Sequence, residues 1–244
     1  MNLVIDIGNT RIKAGLFNGP EQVELWIDDK AGKQILDFLK QRRFRIDRCL
    51  ISRVANMPKN LKKIQKYTGV KSMELMPDTP LPFVNSYTTK STLGNDRIAA
   101  IAGACALFPS KNVLVIDAGT AITYDLKTAS EEYLGGNISP GLAMRFRALN
   151  QYTANLPLVE PSDEFSLFGD STITAIQNGV QNAIVFEING YLESLRNKFG
   201  DLMVILTGGD AHFFDNKLKK PIFVVSDLTL IGLNFILQYN AEKV

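Results

Sequence analysis

One pattern occurs twice, and it constrains this chain more than any other feature. Leu3-Val4-Ile5-Asp6-Ile7-Gly8-Asn9-Thr10 resembles Val113-Leu114-Val115-Ile116-Asp117-Ala118-Gly119-Thr120. Each copy is an apolar strand, then Asp-x-Gly, then threonine. The two aspartates stand about half the chain apart, and each copy opens a β-then-α series. The repeat predicts an α/β protein of two similar lobes, residues 1–109 and 110–244. The boundary falls near Phe108–Asn112, where no low-complexity segment or Gly/Ser linker intervenes.

The elements follow from periodicity and turn chemistry. Strands are expected at 2–7, 12–17 and 23–27, an antiparallel meander whose second turn is at Asn18-Gly19-Pro20. Residues 34–40 and 61–67 read as helices, with a buried strand at 49–54 between them. Pro77, Pro80 and Pro82 make 76–82 a rigid loop. An Ala/Ile-rich helix is expected at 96–108, stopped by Pro109. Four apolar residues, Val113 to Ile116, predict a strand buried on both faces, with a neighbour at 121–126. Residues 135–141 read as a Gly/Pro-rich loop and 142–149 as a helix. The stretch 171–199 reads as a long helix with a break near Gly190. Strands at 203–206 and 222–225 and an apolar helix at 228–239 complete the chain.

Composition excludes several classes. Lys and Arg number 27 and Asp and Glu 25, a net charge of +2, which gives no broad field for nucleic acid. The run Arg42, Arg43, Arg45 and Arg48 reads as a solvated face, because no aromatic platform repeats beside it. Two cysteines, Cys49 and Cys105, exclude a disulfide scaffold and point to a reducing, cytoplasmic setting with both thiols in the core. No apolar run reaches the ~20 residues of a membrane span, and the opening residues lack the pattern of a signal peptide. A single histidine, His212, argues against a His-based zinc site or a Ser-His-Asp triad.

The Asp-x-Gly-x-Thr turn has a physical use. Its aspartate projects from a strand end toward a metal ion or its bound water. The glycine lets backbone amides approach a polyphosphate, and Lys13 adds a point charge. Neither G-x-x-x-x-G-K-[ST] nor G-x-G-x-x-G occurs, so a P-loop or Rossmann site is not supported. Gly94-Asn95-Asp96-Arg97 opens the Ala-rich helix. Asp96 there either serves the helix dipole or, with Arg97, orients a hydroxyl and a transferring phosphoryl group. Thr207-Gly208-Gly209-Asp210 is either a strand-to-helix turn or a place where a flat ring slides against backbone.

Six motifs, in order along nearly the whole chain, resemble the type III pantothenate kinase family. They are Asp6 to Lys13, Leu93 to Arg97, Asp117 to Thr123, Gly135 to Gly141, Leu156-Pro157 and Thr207 to Asp210. The resemblance implies two ribonuclease-H-like lobes of the actin-like ATPase kind, with a nucleotide cleft between them. It implies transfer of a phosphoryl group from ATP to pantothenate, the first step of coenzyme A synthesis. It also implies a cytoplasmic homodimer with no nucleic-acid or membrane partner. By position, Asp6, Ile7, Gly8, Asn9, Thr10, Arg11, Ile12 and Lys13 bind ATP, with Asp6 near Mg2+, and Thr120 also contacts ATP. Asp96 accepts the proton of the pantothenate hydroxyl. Tyr87, Gly94, Asn95, Asp96, Arg97 and Thr172 bind the substrate. Asp117 binds a monovalent cation, K+ or NH4+. One departure from the family pattern is Lys90, which stands where a proline often follows the substrate tyrosine by three residues.

Pantothenate is an anion, so a basic or amide-rich pocket must meet its carboxylate. Arg97 is the first candidate, with Arg145 and Arg147 behind it. The competing readings are a related kinase for another small alcohol, a non-catalytic transcriptional accessory factor of the same family, and a chaperone-like or filament-forming ATPase. The short chain disfavours a sugar kinase. The presence of Asp96 and Asp117 disfavours the accessory factor, and the lack of a spare segment disfavours the last.

Overall fold

Alternating apolar residues place β1 (Asn2–Ile7) at the centre of the first sheet. A computed structural model describes residues 1–8, 11–28, 33–42, 44–53 and 59–242 of the chain. β1 pairs antiparallel with β2 (Ile12–Asn18), and β2 pairs antiparallel with β3 (Glu21–Asp28). The expected meander is therefore present, and Gly19 turns it at φ +60°. After helix α1 (Lys33–Arg42), β4 (Arg48–Arg53) returns parallel to β1. Helix α2 (Lys59–Thr68) follows, and the two-residue β5 (Met73–Glu74) then pairs parallel with β4. The sheet order is β3-β2-β1-β4-β5.

The two faces of β1 have different uses. Leu3, Ile5 and Ile7 join Ile12, Leu16, Ile35, Leu39, Ile51 and Ile64 in one buried cluster. Period two sends Asn2, Val4 and Asp6 to the opposite face. That face meets helix α7 (Leu228–Ala241), which packs against helix α3 (Asn95–Leu107). Buried Asn234 of α7 accepts from Asn2 Nδ2 at 2.9 Å and donates to the Gly19 carbonyl at 2.9 Å. The chain divides into two units. The first comprises Met1–Ser110, Glu131–Leu134 and Asp227–Val244, and the second Lys111–Ser130 and Gly135–Ser226. The division expected at 109/110 is thus corrected at the far end of the chain. Helix α7 belongs to the first unit because its apolar faces are buried there.

The second unit repeats the plan of the first. β7 (Asn112–Ala118) pairs antiparallel with β8 (Ala121–Lys127) and parallel with β10 (Leu202–Thr207). β11 (Phe223–Val224) lies parallel to β10. β8 neighbours β9 (Glu132–Pro140), so residues 135–141 are largely strand and not the expected loop. The glycines misled the reading. A Cβ on Gly136 would sit 1.8 Å from the Tyr124 carbonyl, so this glycine marks a close backbone approach inside a strand. The short β6 (Val84–Asn85) runs parallel to the opening of β9 at Glu132 and Tyr133, within the first unit.

Helices α4 (Leu142–Gln151) and α5 (Thr172–Phe199) cover the second sheet, with the short α6 (Ala211–Asp215) after β10. Ser171 caps α5 in a capping box with Thr174. Gly190 does not break this helix. It lies exposed, with nothing within 4 Å of its Cβ position. A 3-10 turn at Lys90–Thr92 precedes α3. Cys49 and Cys105 are buried and in no disulfide, and burial pushes the Cys49 thiol up to about 12.

α3 and α7 touch backbone to backbone. A Cβ on Gly232 would fall 1.8 Å from the Ala99 carbonyl, and one on Gly103 would fall 2.4 Å from the Leu228 carbonyl. Gly232→Ala must therefore push the helices apart. A loss of about 3 kcal/mol is expected from overpacking, read as a lower urea midpoint at unchanged slope.

Candidate active site

Asp6 ends β1 on the face shared with α3 and α7, and Asp96 opens α3. The fold thus makes neighbours of two acids that are far apart in the chain. Asp6 Oδ1 accepts a hydrogen bond from the hydroxyl of Ser52 at 3.0 Å. Ser52 is fully buried and stands opposite Asp6 across the β1–β4 pair. Lys13 stands opposite Asp6 on the other side, across β1–β2. Burial pushes the Asp6 carboxyl up to about 6; the Ser52 hydroxyl opposes this, the charge of Asp96 adds to it, and Lys13 offsets part.

Ser52 is a site residue that the sequence reading passed over. Its signal was a hydroxyl at the end of the buried run Cys49-Leu50-Ile51, where a polar group needs a partner.

Asp96 is exposed in the first turn of α3, where its carboxylate faces the positive end of the helix. Its Oδ1 accepts the backbone N–H of Arg97 at 2.8 Å. Gly94 precedes the helix, and a Cβ there would lie 2.4 Å from that oxygen. Asn95 turns its amide to backbone, donating to the Leu75 carbonyl at 3.1 Å and the Arg53 carbonyl at 3.5 Å. It therefore pins the start of α3 to the ends of β4 and β5. Arg97 is buried, with its guanidinium 5.4 Å from the centre of the Tyr87 ring. Tyr87 also stacks on buried Tyr133 at 6.1 Å.

The remaining residues of the first turn are spread around it. Gly8 donates to the Arg11 carbonyl at 3.0 Å, closing the turn, and Arg11 is exposed. Ile7 and Ile12 point into the core, so only their backbone is available to a ligand. Asn9 and Thr10 lie outside the described residues.

In the second unit, Asp117 ends β7 as Asp6 ends β1. Thr207 of β10 stands opposite it, as Ser52 stands opposite Asp6. The following loop packs on this turn. Gly208 has φ +96°, and a Cβ there would lie 2.4 Å from both the Ala118 carbonyl and Asp117 Oδ1. The Asp210 N–H donates to the Ala118 carbonyl at 2.9 Å, and burial raises the Asp210 carboxyl. Thr120 is exposed on the turn, and Thr172 is exposed at the first position of α5. Among the described residues no group of three or more His, Cys, Asp or Glu side chains is placed to hold a metal ion.

The Asp6 shift has a consequence for stability. Between its ordinary value of 3.8 and about 6, the folded protein keeps a proton on Asp6 that the unfolded chain has lost. Stability therefore falls as pH rises through this window. Asp6→Asn removes the charge and keeps an acceptor for Ser52. At pH 8 it should stabilise the ligand-free protein by up to about 3 kcal/mol. Near pH 3.5 the gain should vanish. Urea unfolding at the two pH values reads both, and equal stability at pH 8 would refute the account.

Comparison with known proteins places this geometry in a family. A type III pantothenate kinase family model matches residues 2–194. A type III pantothenate kinase of Christiangramia forsetii is 46% identical over 249 residues, covering 100% of both chains. Among solved structures, a Campylobacter jejuni protein called a conserved Baf family transcriptional activator is 26% identical. Its TM-score is 0.63, over 98% of this chain and 99% of that one. A glucokinase from an Antarctic psychrotroph shares the fold alone, with TM-score 0.52 and 12% identity over 98% of each chain. The kinase neighbour agrees with the expected actin-like α/β fold class. With a family model over most of its length and a full-length relative at 46% identity, the chain belongs to the type III pantothenate kinase family.

Proposed function

We propose that this protein phosphorylates pantothenate with ATP, at the start of coenzyme A synthesis. The observation that carries the mechanism is the placing of Asp96 beside Asp6. Phosphoryl transfer passes through a loose transition state, so positioning and charge matter more than a strong base. Asp96 is exposed and held by the Arg97 N–H, which suits a carboxylate that takes the proton of the attacking hydroxyl. Arg97 is a buried cation against Tyr87, which suits a partner for the pantothenate carboxylate. The substrate roles of Gly94 and Thr172 rest on the family pattern. Asn95 acts on the substrate through the position of Asp96 and Arg97.

The Asp6–Lys13 turn binds ATP phosphates on this reading, and Thr120 contacts the nucleotide. Asp6 fits a place beside Mg2+, because burial first and the charge of Asp96 behind it raise its carboxyl, and a cation offsets both. The magnesium that accompanies ATP neutralises phosphate charge there. Asp117 is assigned the monovalent cation, K+ or NH4+. The packing of Gly208 against its carboxylate supports a fixed ligand at that point.

A homodimer is part of the proposal. Helix α5 exposes Ala175, Gly179 and Ala183 at spacings of four residues. Small side chains in one row let a second helix approach closely. Cytoplasmic residence fits two buried cysteines that form no disulfide. Among the described residues no helix is long and apolar enough to cross a membrane. The Baf-family likeness keeps a transcriptional accessory role as the second reading. The joint presence of Asp6, Asp96 and Asp117 favours the kinase.

The first test is ADP release from Mg-ATP with and without pantothenate, in K+ and in Na+ alone. Pantothenate-dependent turnover that needs K+ is expected. Equal rates in Na+ would remove the cation role of Asp117, and no turnover in folded protein would favour the accessory factor. Asp96→Asn should keep the fold and lower kcat by about 10²–10⁴-fold. Undiminished turnover in that variant would overturn the base assignment.

A further inference from the structure

The sequence offers Arg145 as a partner for the pantothenate carboxylate, but the structure uses its guanidinium elsewhere. Arg145 Nε donates to the Pro140 carbonyl at 2.8 Å. Its Nη2 donates to Ser139 Oγ at 2.7 Å and to Glu187 Oε2 at 2.5 Å. The other carboxylate oxygen of Glu187 accepts the hydroxyl of Tyr124 at 2.8 Å. One ion pair thus ties α4, α5, β8 and the end of β9 together. Both partners are largely shielded, with side-chain exposures of 18% for Arg145 and 25% for Glu187. Burial pushes the Glu187 carboxyl up, but the bonds from Arg145, Ser139 and Tyr124 outweigh it and hold it below the usual range. Burial, with the same contact behind it, raises the Tyr124 phenol. The pair is therefore ionised and fixed at neutral pH.

What this brace holds is next to the Asp117 turn. Gly141 follows the clamped Pro140 and starts α4. A Cβ on Gly141 would lie 2.3 Å from the Gly119 carbonyl and 2.4 Å from the Thr120 carbonyl. The backbone of 140–141 and that of 119–120 are in direct contact, and either moves only if the other does.

We propose that Arg145, seated by Glu187, is a positioning residue for the Asp117–Thr120 turn, acting through Pro140 and Gly141 on nucleotide binding and not on pantothenate. The inference rests on the assignment of Thr120 to ATP. Arg145 reaches the turn only through backbone, so its loss loosens the turn without removing a ligand. Lysine can keep the charge opposite Glu187, but it lacks the fork that holds Ser139 and the Pro140 carbonyl together.

The test uses the full chain, with kinetics in each substrate and Mg-ATP binding measured calorimetrically without pantothenate. Arg145→Ala should raise KM for ATP and weaken Mg-ATP binding by about tenfold, the lower end of what a supporting partner of a binding residue costs. KM for pantothenate should stay within about twofold, and Arg145→Lys should recover part of the loss. Glu187→Gln loses the charge and one of the two acceptor oxygens, while keeping one oxygen for Arg145. It should move the same two quantities in the same direction, and it decides the matter if Arg145→Ala does not fold. A rise confined to the pantothenate KM, or no change in either substrate, overturns the proposal. Absence of pantothenate phosphorylation by the unmodified protein would sink the functional reading instead, while Mg-ATP binding would still report on the brace.

Discussion

The contact on which the first unit depends is the crossing of α3 and α7 at Gly103 and Gly232. A helix pair this close leaves no room for side chains between the backbones, so small residues are required on both sides. α7 lies on the β1 face that carries Val4 and Asp6, and the crossing holds α3 against α7. Asn234 fixes the same arrangement from the other end, joining α7 to β1 and to the β2–β3 turn of the meander. From this follow the place of Asp96 beside Asp6 and the burial of Arg97. The C-terminal segment is therefore part of the frame of the proposed site, although none of its residues belongs to a motif.

The two strand-end aspartates stand in the same local setting. Each lies on a central strand with an antiparallel neighbour on one side and a parallel neighbour on the other. Each is opposed on the parallel neighbour by a buried hydroxyl residue, Ser52 or Thr207. The repeat extends beyond the sequence similarity, because β4 and β10 share no motif. What the second copy adds is a glycine, Gly208, packed against the aspartate. The first copy has instead a second acid, Asp96, whose charge reaches Asp6.

Much of this was legible in the sequence, and the failures have physical reasons. Strands and helices with one buried face declared themselves by period, as at 2–7 and 34–40. The strand at 132–140 did not, because Gly135, Gly136 and Pro140 carry the marks of a loop. There glycine serves close contact with β8, a requirement set by a neighbour far along the chain. The return of 228–241 to the first unit was hidden for the same reason. Asp6, Asp96 and Asp117 were readable from the motifs, but the contact of Asp6 with Ser52 and the nearness of Asp96 needed the fold. Arg145 was misjudged because a cation in a helix gives no sign of the acid it will meet 42 residues later.

The site also shows how a binding surface can be held at a cost in stability. Nearly every other buried polar group described here has its partner, from Asn2 with Asn234 to Tyr124 with Glu187. Asp6 is buried with the Ser52 hydroxyl as its hydrogen-bond donor, and the charge of Asp96 opposes it while Lys13 offsets only part. A chain selected for stability alone would place an amide there and lose nothing in packing. On the proposed reading further positive charge, beyond that of Lys13, arrives with the nucleotide and its magnesium. Binding then gains the energy that folding gave up at Asp6, and the empty protein is the strained partner in that exchange.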